Sequence, residues 1–170
     1  MDLDQLAAEI GAALRRTGQT LALAESCTGG LVCHCITNIP GSSDYFLGGV
    51  VAYANSTKEK VLGVPAETLQ KHGAVSRETA VAMAEGVCDL LDADIGVAIT
   101  GIAGPGGGTP KKPVGLVYIS LATRGVHTCE RHVWSGDRRA NKRSSAQAAL
   151  QLLLHYLTAR SAQDGDAIEP

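Results

Sequence analysis

Aromatic residues, long apolar runs and an excess of either charge are all scarce in this chain of 170 residues. Phe, Trp and Tyr make up 4% of it, the formal net charge is -2, and the pI is about 6.2. A nearly neutral chain has no bulk field to hold a nucleic-acid backbone or an anionic bilayer, so we expect neither partner. No apolar run reaches the roughly 18 residues of a membrane span, and the acidic start Met1–Asp4 is unlike a signal peptide. We therefore expect neither export nor membrane insertion.

The five cysteines are odd in number and lie in apolar or helical stretches rather than in a spaced, loop-rich framework. This usage is typical of the reducing cytoplasm, where we expect the protein to reside. Cys33-His34-Cys35 contains two thiols and an imidazole, but residues two apart on a helix face different ways and the other ligands of a tetrahedral site are missing. We expect no metal and no cofactor.

Apolar periodicity and turn residues predict alternating helices and strands. Six helices are predicted. The first begins at Leu3 and is ended by Gly18, the second covers 31–36, and the third opens at 55 with Asn55 or Ser56 as its cap. The fourth follows Pro65, the fifth follows Ser76, and the last covers about 138–157. The predicted strands cover 20–25, 46–53, which we read as buried, 94–100, and an antiparallel pair at 114–122 and 127–134.

This order predicts an α/β protein, a three-layer α/β/α sandwich whose mixed, mostly parallel sheet carries the antiparallel pair. The length suits a single domain, to which we assign residues 1–159. Residues 160–170 carry little that could offset the entropy of ordering, so we expect a mobile tail there.

The segment Glu25–Gly30 lies where a strand passes into a helix, which places the Ser26 hydroxyl beside unpaired N–H groups of the first helical turn. The backbone of Thr28, Gly29 and Gly30 would then form an oxyanion site, and glycine at 29 and 30 removes the Cβ atoms that would obstruct a substrate. A helix cap formed by Ser26 or Thr28 explains the same residues. Cys27 is a rival nucleophile, because thiolates are favoured at a helix start.

A serine nucleophile needs a base, and none of the five histidines falls at a strand end or in the glycine-rich loop. Lys58 follows the strand that ends at Tyr53, so it could reach the same sheet edge as Ser26, where partial burial would lower its pKa. Lys60 is a rival by position. A lysine in such a polar stretch is also typical of a solvated surface.

The loop from Thr100 to Gly108 ends a buried strand and presents several backbone N–H groups, a shape that can hold a phosphate. It has neither a Walker A ending nor the GxGxxG spacing of a dinucleotide fold, and a flexible connection explains it equally well. Arg138, which follows Gly136-Asp137 at a helix start, could bind a carboxylate or phosphate or lie in an exposed cap.

Taken together, the ordered motifs resemble those of the CinA C-terminal domain family, whose enzymes are nicotinamide-nucleotide amidases. The resemblance extends from the first helix to about Leu157. The motifs that carry it are Ala24–Gly30, Pro40–Ser43, Tyr53–Asn55, Lys58, Gly63-Val64, His72–Ser76, Thr100–Pro105, Lys112–Gly115 and Gly136–Arg138.

The resemblance implies hydrolysis of nicotinamide mononucleotide to nicotinic acid mononucleotide and ammonia, without metal, by Ser26 and Lys58. It further implies that Tyr53 orients or assists the pair and that Arg138 binds the substrate phosphate. Residues that would line the nucleotide pocket are Thr100, Gly101, Ile102, Ala103 and Gly104. Family members commonly assemble, so a homo-oligomer is expected.

The sequence departs from the family pattern at one position that bears on substrate binding. Many relatives carry a second arginine about four residues after the arginine of the Gly-Asp-Arg motif, where this chain has Lys142 followed by Arg143. A lysine cannot make the bidentate contact of an arginine, so a grip on phosphate there would be weaker. A nucleotide-binding module without turnover, and a hydrolase of another amide or an ester, remain the alternative functions.

Overall fold

The computed structural model describes the backbone of residues 1–165 and the side chains of residues 1–160. The described residues form α1 (Leu3–Thr17), β1 (Leu21–Glu25), α2 (Leu31–Thr37), β2 (Phe46–Val51), α3 (Asn55–Lys60), α4 (Ala66–His72), α5 (Arg77–Leu91), β3 (Ile95–Gly101), β4 (Leu116–Thr123), β5 (Val126–Val133) and α6 (Arg138–Gly165). None of these helices has the length and apolar character needed to cross a membrane.

The five strands form one sheet in the order β2-β1-β3-β4-β5. β1 pairs in parallel with both β2 and β3, whereas β3–β4 and β4–β5 are antiparallel. The mixed sheet and its late antiparallel hairpin are therefore as predicted, with parallel and antiparallel pairings equal in number.

Helices cover both faces of this sheet, which confirms the three-layer α/β/α architecture. One core cluster joins α1, α2 and α6 to the sheet, and Ile10, Leu23 and Leu153 are fully or almost fully buried in it. The second joins α5 and the α3–α4 region to the opposite face, with Met83 and Val87 at its centre. Burial of these apolar side chains is the main favourable term in folding.

Local signals that were legible in the sequence set several helix ends. Asp2 caps α1 through a bond from the Gln5 N–H of 2.9 Å, and Gly18 ends that helix in the left-handed conformation. Ser76 caps α5 by accepting from the N–H of Thr79. The end of α1 at Gly18 and the cap of α5 at Ser76 are as predicted.

Three predicted details are wrong. β2 is an edge strand paired only with β1, so Leu47 and Val51 remain 44% and 47% exposed rather than buried. α3 has no side-chain cap, because Ala54, which has no polar side chain, occupies the N-cap position, so neither Asn55 nor Ser56 is the cap. α6 continues past residue 157 to Gly165. The remainder of the segment predicted as a tail, 166–170, lies outside the described residues.

Candidate functional site

The site lies at the edge of the sheet where the three parallel strands end. β1 lies between β2 and β3, with Glu25 opposite Val51 on one side and Ile99 on the other. The connection to β2 runs over one face of the sheet and the connection to β3 over the other, so a crevice opens beyond the strand ends, as at the switch points of open α/β sheets. The residues that follow β1, β2 and β3 therefore converge there.

Ser26 and Lys58 meet in this crevice. The Nζ of Lys58 lies 3.2 Å from the Oγ of Ser26, although 32 positions separate the two residues. Lys58 is 1% exposed and Ser26 8% exposed, whereas Lys60, the rival base by position, is exposed. The structure thus brings Lys58, and not Lys60, to the serine.

Three oxygen atoms lie within hydrogen-bonding distance of the Lys58 amine. Its other two partners are the carbonyl oxygens of Ala52, at 2.7 Å, and Tyr53, at 3.3 Å, which can only accept hydrogen bonds. A neutral amine has two N–H donors for those carbonyls and one lone pair that can accept the Ser26 hydroxyl proton. Burial lowers the pKa of Lys58 from its ordinary value, and its neighbour Cys27 opposes this shift. The arrangement can therefore activate a serine hydroxyl.

Cys27, the rival nucleophile, lines the same cleft but is held as a thiol. It is 5% exposed. Burial raises its pKa to about 11, despite the opposing effects of its own backbone N–H and of Lys142 and Lys58. Because the thiolate is the nucleophilic form, a thiol with this pKa is a poor nucleophile near neutral pH.

The turn that carries Ser26 depends on its two glycines for backbone conformation. Gly29 and Gly30 have φ of +65° and +96°, a region that residues with a Cβ rarely adopt. A Cβ built on either residue would meet no atom closer than 3.5 Å. No protein atom therefore crowds the positions that a Cβ would take, and the predicted role of these glycines in substrate access stays a prediction.

The predicted oxyanion donors of this turn are largely occupied. The N–H of Gly29 donates to the Ser26 carbonyl at 3.1 Å, and the N–H of Gly30 donates to the Glu25 carboxylate at 2.9 Å. Thr28 is buried, its hydroxyl has no partner among the described residues, and its N–H forms no bond to another residue. The prediction for Gly29 and Gly30 is therefore wrong in this structure, because other groups of the same turn already accept from their N–H groups.

A cleft of about 260 Å³ opens beside the pair. The predicted loop residues Thr100, Gly101, Ile102, Ala103 and Gly104 all line it. The remaining lining residues are Ser26, Cys27, Tyr53, Lys58, Ala74, Val75, Gly106, Gly107 and Arg138. The Thr100 hydroxyl donates to the Ala74 carbonyl at 2.8 Å, so this side chain ties the loop before α5 to the end of β3.

Tyr53 and Arg138 form a pair at the cleft. The guanidinium of Arg138 donates to the Tyr53 hydroxyl at 2.9 Å and to the Gly104 carbonyl at 2.8 Å. The Tyr53 phenol is 60% exposed and bonds to Arg138 rather than to Ser26 or Lys58, although its backbone carbonyl accepts from Lys58. Arg138 thus connects the loop after β3 to the end of β2, and both of its present partners are uncharged.

Two buried polar residues of the site are not predicted from the sequence. Asn141 is 1% exposed, donates to the Ala103 carbonyl at 3.0 Å and accepts from the Gly136 N–H at 3.0 Å, so it fixes the glycine-rich loop to the start of α6. No local signal marks it, because Ala103 is 38 positions away. Glu25 is the other, and an acidic residue ending an otherwise apolar strand was a legible signal.

A larger cavity of about 790 Å³ lies elsewhere, along the outer face of α5. Its lining includes Glu85 and His127, whose carboxylate oxygen and ring nitrogen lie 3.2 Å apart. It does not contain the Ser26 and Lys58 pair. Size alone therefore does not locate the chemistry, and the smaller cleft is the candidate active site.

By its fold and its site, the protein is an α/β/α sandwich with a buried serine and lysine pair at the ends of its parallel strands. Residues 3–157 match the family described as CinA C-terminal domain. The chain belongs to the CinA C-terminal domain family.

Curated relatives and solved structures extend this assignment. The chain is 49% identical over 163 residues to a CinA-like protein of Myxococcus xanthus, covering 95% of the chain and 39% of that protein. It is 53% identical over 146 residues to a CinA-like protein of Salinibacter ruber, covering 86% of the chain and 35% of the relative. The chain thus spans less than two fifths of the length of these two relatives.

Solved structures match over nearly their whole length. The competence/damage inducible protein CihA from Agrobacterium tumefaciens superposes with a TM-score of 0.89 at 40% identity, covering 93% of this chain and 96% of the other. The competence damage-inducible protein A (ComA) from Klebsiella pneumoniae gives a TM-score of 0.90 at 34% identity, covering 93% and 98%.

Proposed function

We propose that this domain hydrolyses the carboxamide of nicotinamide mononucleotide, releasing ammonia and nicotinic acid mononucleotide, through an acyl-enzyme on Ser26. The observation that carries the proposal is the 3.2 Å approach of the Lys58 amine to the Ser26 hydroxyl, both of them buried, at a cleft. The substrate follows from the resemblance to nicotinamide-nucleotide amidases. The names of the relatives speak only of competence, damage and CinA.

In the proposed reaction, neutral Lys58 accepts the Ser26 proton as the hydroxyl oxygen attacks the carboxamide carbon. The carbonyl oxygen becomes an oxyanion, which backbone N–H groups at the cleft would stabilise. Lys58 then returns the proton to the departing nitrogen, the C–N bond breaks, and ammonia leaves. A water molecule, deprotonated by the same amine, hydrolyses the acyl-enzyme and restores Ser26.

The size of the cleft fits this substrate class. A volume of about 260 Å³ is just below the usual range of ligand pockets, which starts at roughly 300 Å³, and it would receive the nicotinamide ring with the ribose phosphate towards the mouth. There, Arg138 could exchange its uncharged partners for the phosphate, and Lys142 lies 3.5 Å from the position a Cβ of Gly29 would take. Contacts to the phosphate would supply binding energy remote from the reacting bond.

The test is ammonia release from nicotinamide mononucleotide and from nicotinamide by the wild type, Ser26→Ala and Lys58→Ala. We expect the mononucleotide to be the far better substrate and each variant to lose more than about tenfold in kcat/KM, equivalent to about 1.4 kcal/mol. Lys60→Ala and Cys27→Ala are the matched controls and should remain active. Activity should also survive dialysis against a chelator, because the mechanism uses side chains alone.

Other outcomes would point elsewhere. A smaller loss in either variant is incompatible with the roles assigned to Ser26 and Lys58. Loss in Cys27→Ala with activity retained in Ser26→Ala would move the nucleophile by one residue. Binding of the mononucleotide without ammonia release would favour a nucleotide-binding module. A cytoplasmic location, a homo-oligomeric state, and the absence of nucleic-acid and membrane partners stay predictions.

A further inference from the structure

Glu25 is a buried acid that the proposed chemistry does not use. It is the last residue of β1, directly before Ser26, and its exposed fraction is 0%. None of the ion pairs found among residues 1–160 involves it. Burying a carboxylate without a cationic partner is costly, so the groups that compensate for its lost hydration must be strong donors.

Those donors are backbone N–H groups at the start of α2. One carboxylate oxygen accepts from the Gly30 N–H at 2.9 Å and the other from the Cys33 N–H at 2.8 Å. The carboxylate therefore caps α2 from the strand that precedes it, and the backbone between Glu25 and Gly30 is closed into a loop with Ser26 inside. This loop replaces a local side-chain cap, which α2 lacks.

The hydrogen bonds of the turn also determine which of its N–H groups have no acceptor. The N–H of Ser26 donates to the Ile99 carbonyl at 2.9 Å, that of Gly29 to the Ser26 carbonyl, and that of Gly30 to Glu25. The N–H groups of Cys27 and Thr28 are left without an acceptor on another residue of the described chain. Cys27 lines the cleft, directly after the nucleophile in sequence.

We propose that Glu25 is a positioning residue that holds the nucleophile turn by accepting the Gly30 and Cys33 N–H groups, so that the N–H of Cys27, which lines the cleft, faces the oxyanion. This inference rests on the proposed function, because it assigns a donor for the same acyl-transfer step. Electrostatic stabilisation then comes from a fixed dipole next to Ser26 and not from the start of α2, whose partial positive charge the carboxylate offsets.

The geometry explains why neither glutamine nor aspartate can replace Glu25 as the acceptor of both N–H groups. Glutamine has the same shape, but its amide nitrogen carries hydrogens that would face a backbone N–H, so one of the two bonds would be replaced by a repulsive contact. Aspartate keeps the charge but is one methylene shorter, so it cannot hold both N–H groups at these distances. Glu25→Gln and Glu25→Asp therefore disturb the turn while changing the packing volume little.

The test measures kcat and KM for ammonia release from nicotinamide mononucleotide together with amide hydrogen exchange by NMR. We expect Glu25→Gln to lower kcat by about 100-fold, the usual effect of a lost oxyanion donor, with KM changed less than threefold. Exchange of the Gly30 and Cys33 amides should accelerate. Glu25→Asp should lose less activity than Glu25→Gln, and it replaces Glu25→Gln in the test if that variant does not fold.

Asp2→Ala is the matched control, because it removes the cap of another helix far from the cleft. It should lower thermal stability while kcat stays within twofold of the wild type. A kcat within threefold of the wild type in Glu25→Gln, or a loss that appears equally in Asp2→Ala, would overturn the positioning role. An inactive wild type would instead refute the proposed function. The capping role is tested separately by hydrogen exchange, and it would be refuted if the Gly30 and Cys33 amides exchanged as slowly in Glu25→Gln as in the wild type.

Discussion

At the scale of single residues, the site depends on a lysine whose pKa is lowered by burial. Lys58 has two carbonyls and one hydroxyl as partners and no carboxylate among the described residues bonded to its amine. Burial therefore favours the neutral form, which is the form that can accept a proton.

This argument predicts the pH dependence of activity. The neutral amine is the active form, and burial lowers the pKa of Lys58 from its ordinary 10.5. We therefore expect kcat/KM to rise with pH to a plateau, with the midpoint of the rise below 10.5. The measurement is kcat/KM for ammonia release across this pH range. Lys60→Ala should give the same midpoint, whereas Cys27→Ala, which removes the group that opposes the effect of burial, should not raise it. A midpoint at or above 10.5 would show that Lys58 is not the base.

At the scale of secondary-structure elements, close packing between α2 and the sheet fixes the position of the nucleophile turn. A Cβ on Gly49 in β2 would lie 2.3 Å from the Sγ of Cys33 and 3.3 Å from the Leu23 carbonyl. Cys33 is also one of the two residues whose N–H binds Glu25. The absence of a side chain at residue 49 therefore lets α2 approach β1 and β2 closely enough for its first turn to reach the carboxylate.

We predict that Gly49→Ala destabilises the protein by about 1–3 kcal/mol, the usual cost of overpacking a tight interface. Urea unfolding gives this free energy. Cys33→Ala removes the clashing sulfur, so the double variant should recover most of the loss, and the two substitutions should be strongly non-additive. Gly106→Ala, at a position where a Cβ would meet nothing within 4 Å, is the control for a clash-free substitution. Additive losses would show that Cys33 does not limit the space at residue 49.

At the scale of the whole molecule, α6 completes the layer formed by α1 and α2. Among its side chains up to residue 160, which the structure describes, the last fully buried one is Leu157, with 0% of its surface exposed, and the residues from Thr158 to Arg160 are exposed. The family match also ends at residue 157. This agreement supports, without testing it, a domain boundary at residue 159.

We predict that residues 1–159 fold as stably as the full chain, with a Tm within about 2 °C, because the truncation removes no buried side chain among those described. Truncation after Tyr156 also removes Leu157 and should cost about 2–5 kcal/mol, which corresponds to a drop in Tm of at least about 5 °C. Thermal unfolding followed by circular dichroism gives both values. Equal Tm values for the two truncated chains would place the boundary before Leu157.

The fold class and the identity and order of the helices and strands could be predicted from the sequence alone. Apolar periodicity, turn residues and local caps such as Asp2 and Ser76 act over a few residues, so they are legible in the chain. The motifs that resemble the CinA family marked Ser26 and Lys58. Local patterns did not distinguish Lys58 from Lys60, since both lie in the same polar stretch.

Which polar groups face one another can be seen only in the tertiary structure. The exposure of β2, the pairing of Arg138 with Tyr53, and the link from Asn141 to Ala103 all depend on strand order and on contacts between residues far apart in sequence. The donors of the nucleophile turn were likewise assigned by Glu25, whose carboxylate reaches Gly30 and Cys33. A hydrogen bond requires two groups within about 3 Å at a suitable angle, and that relation is set by packing in three dimensions.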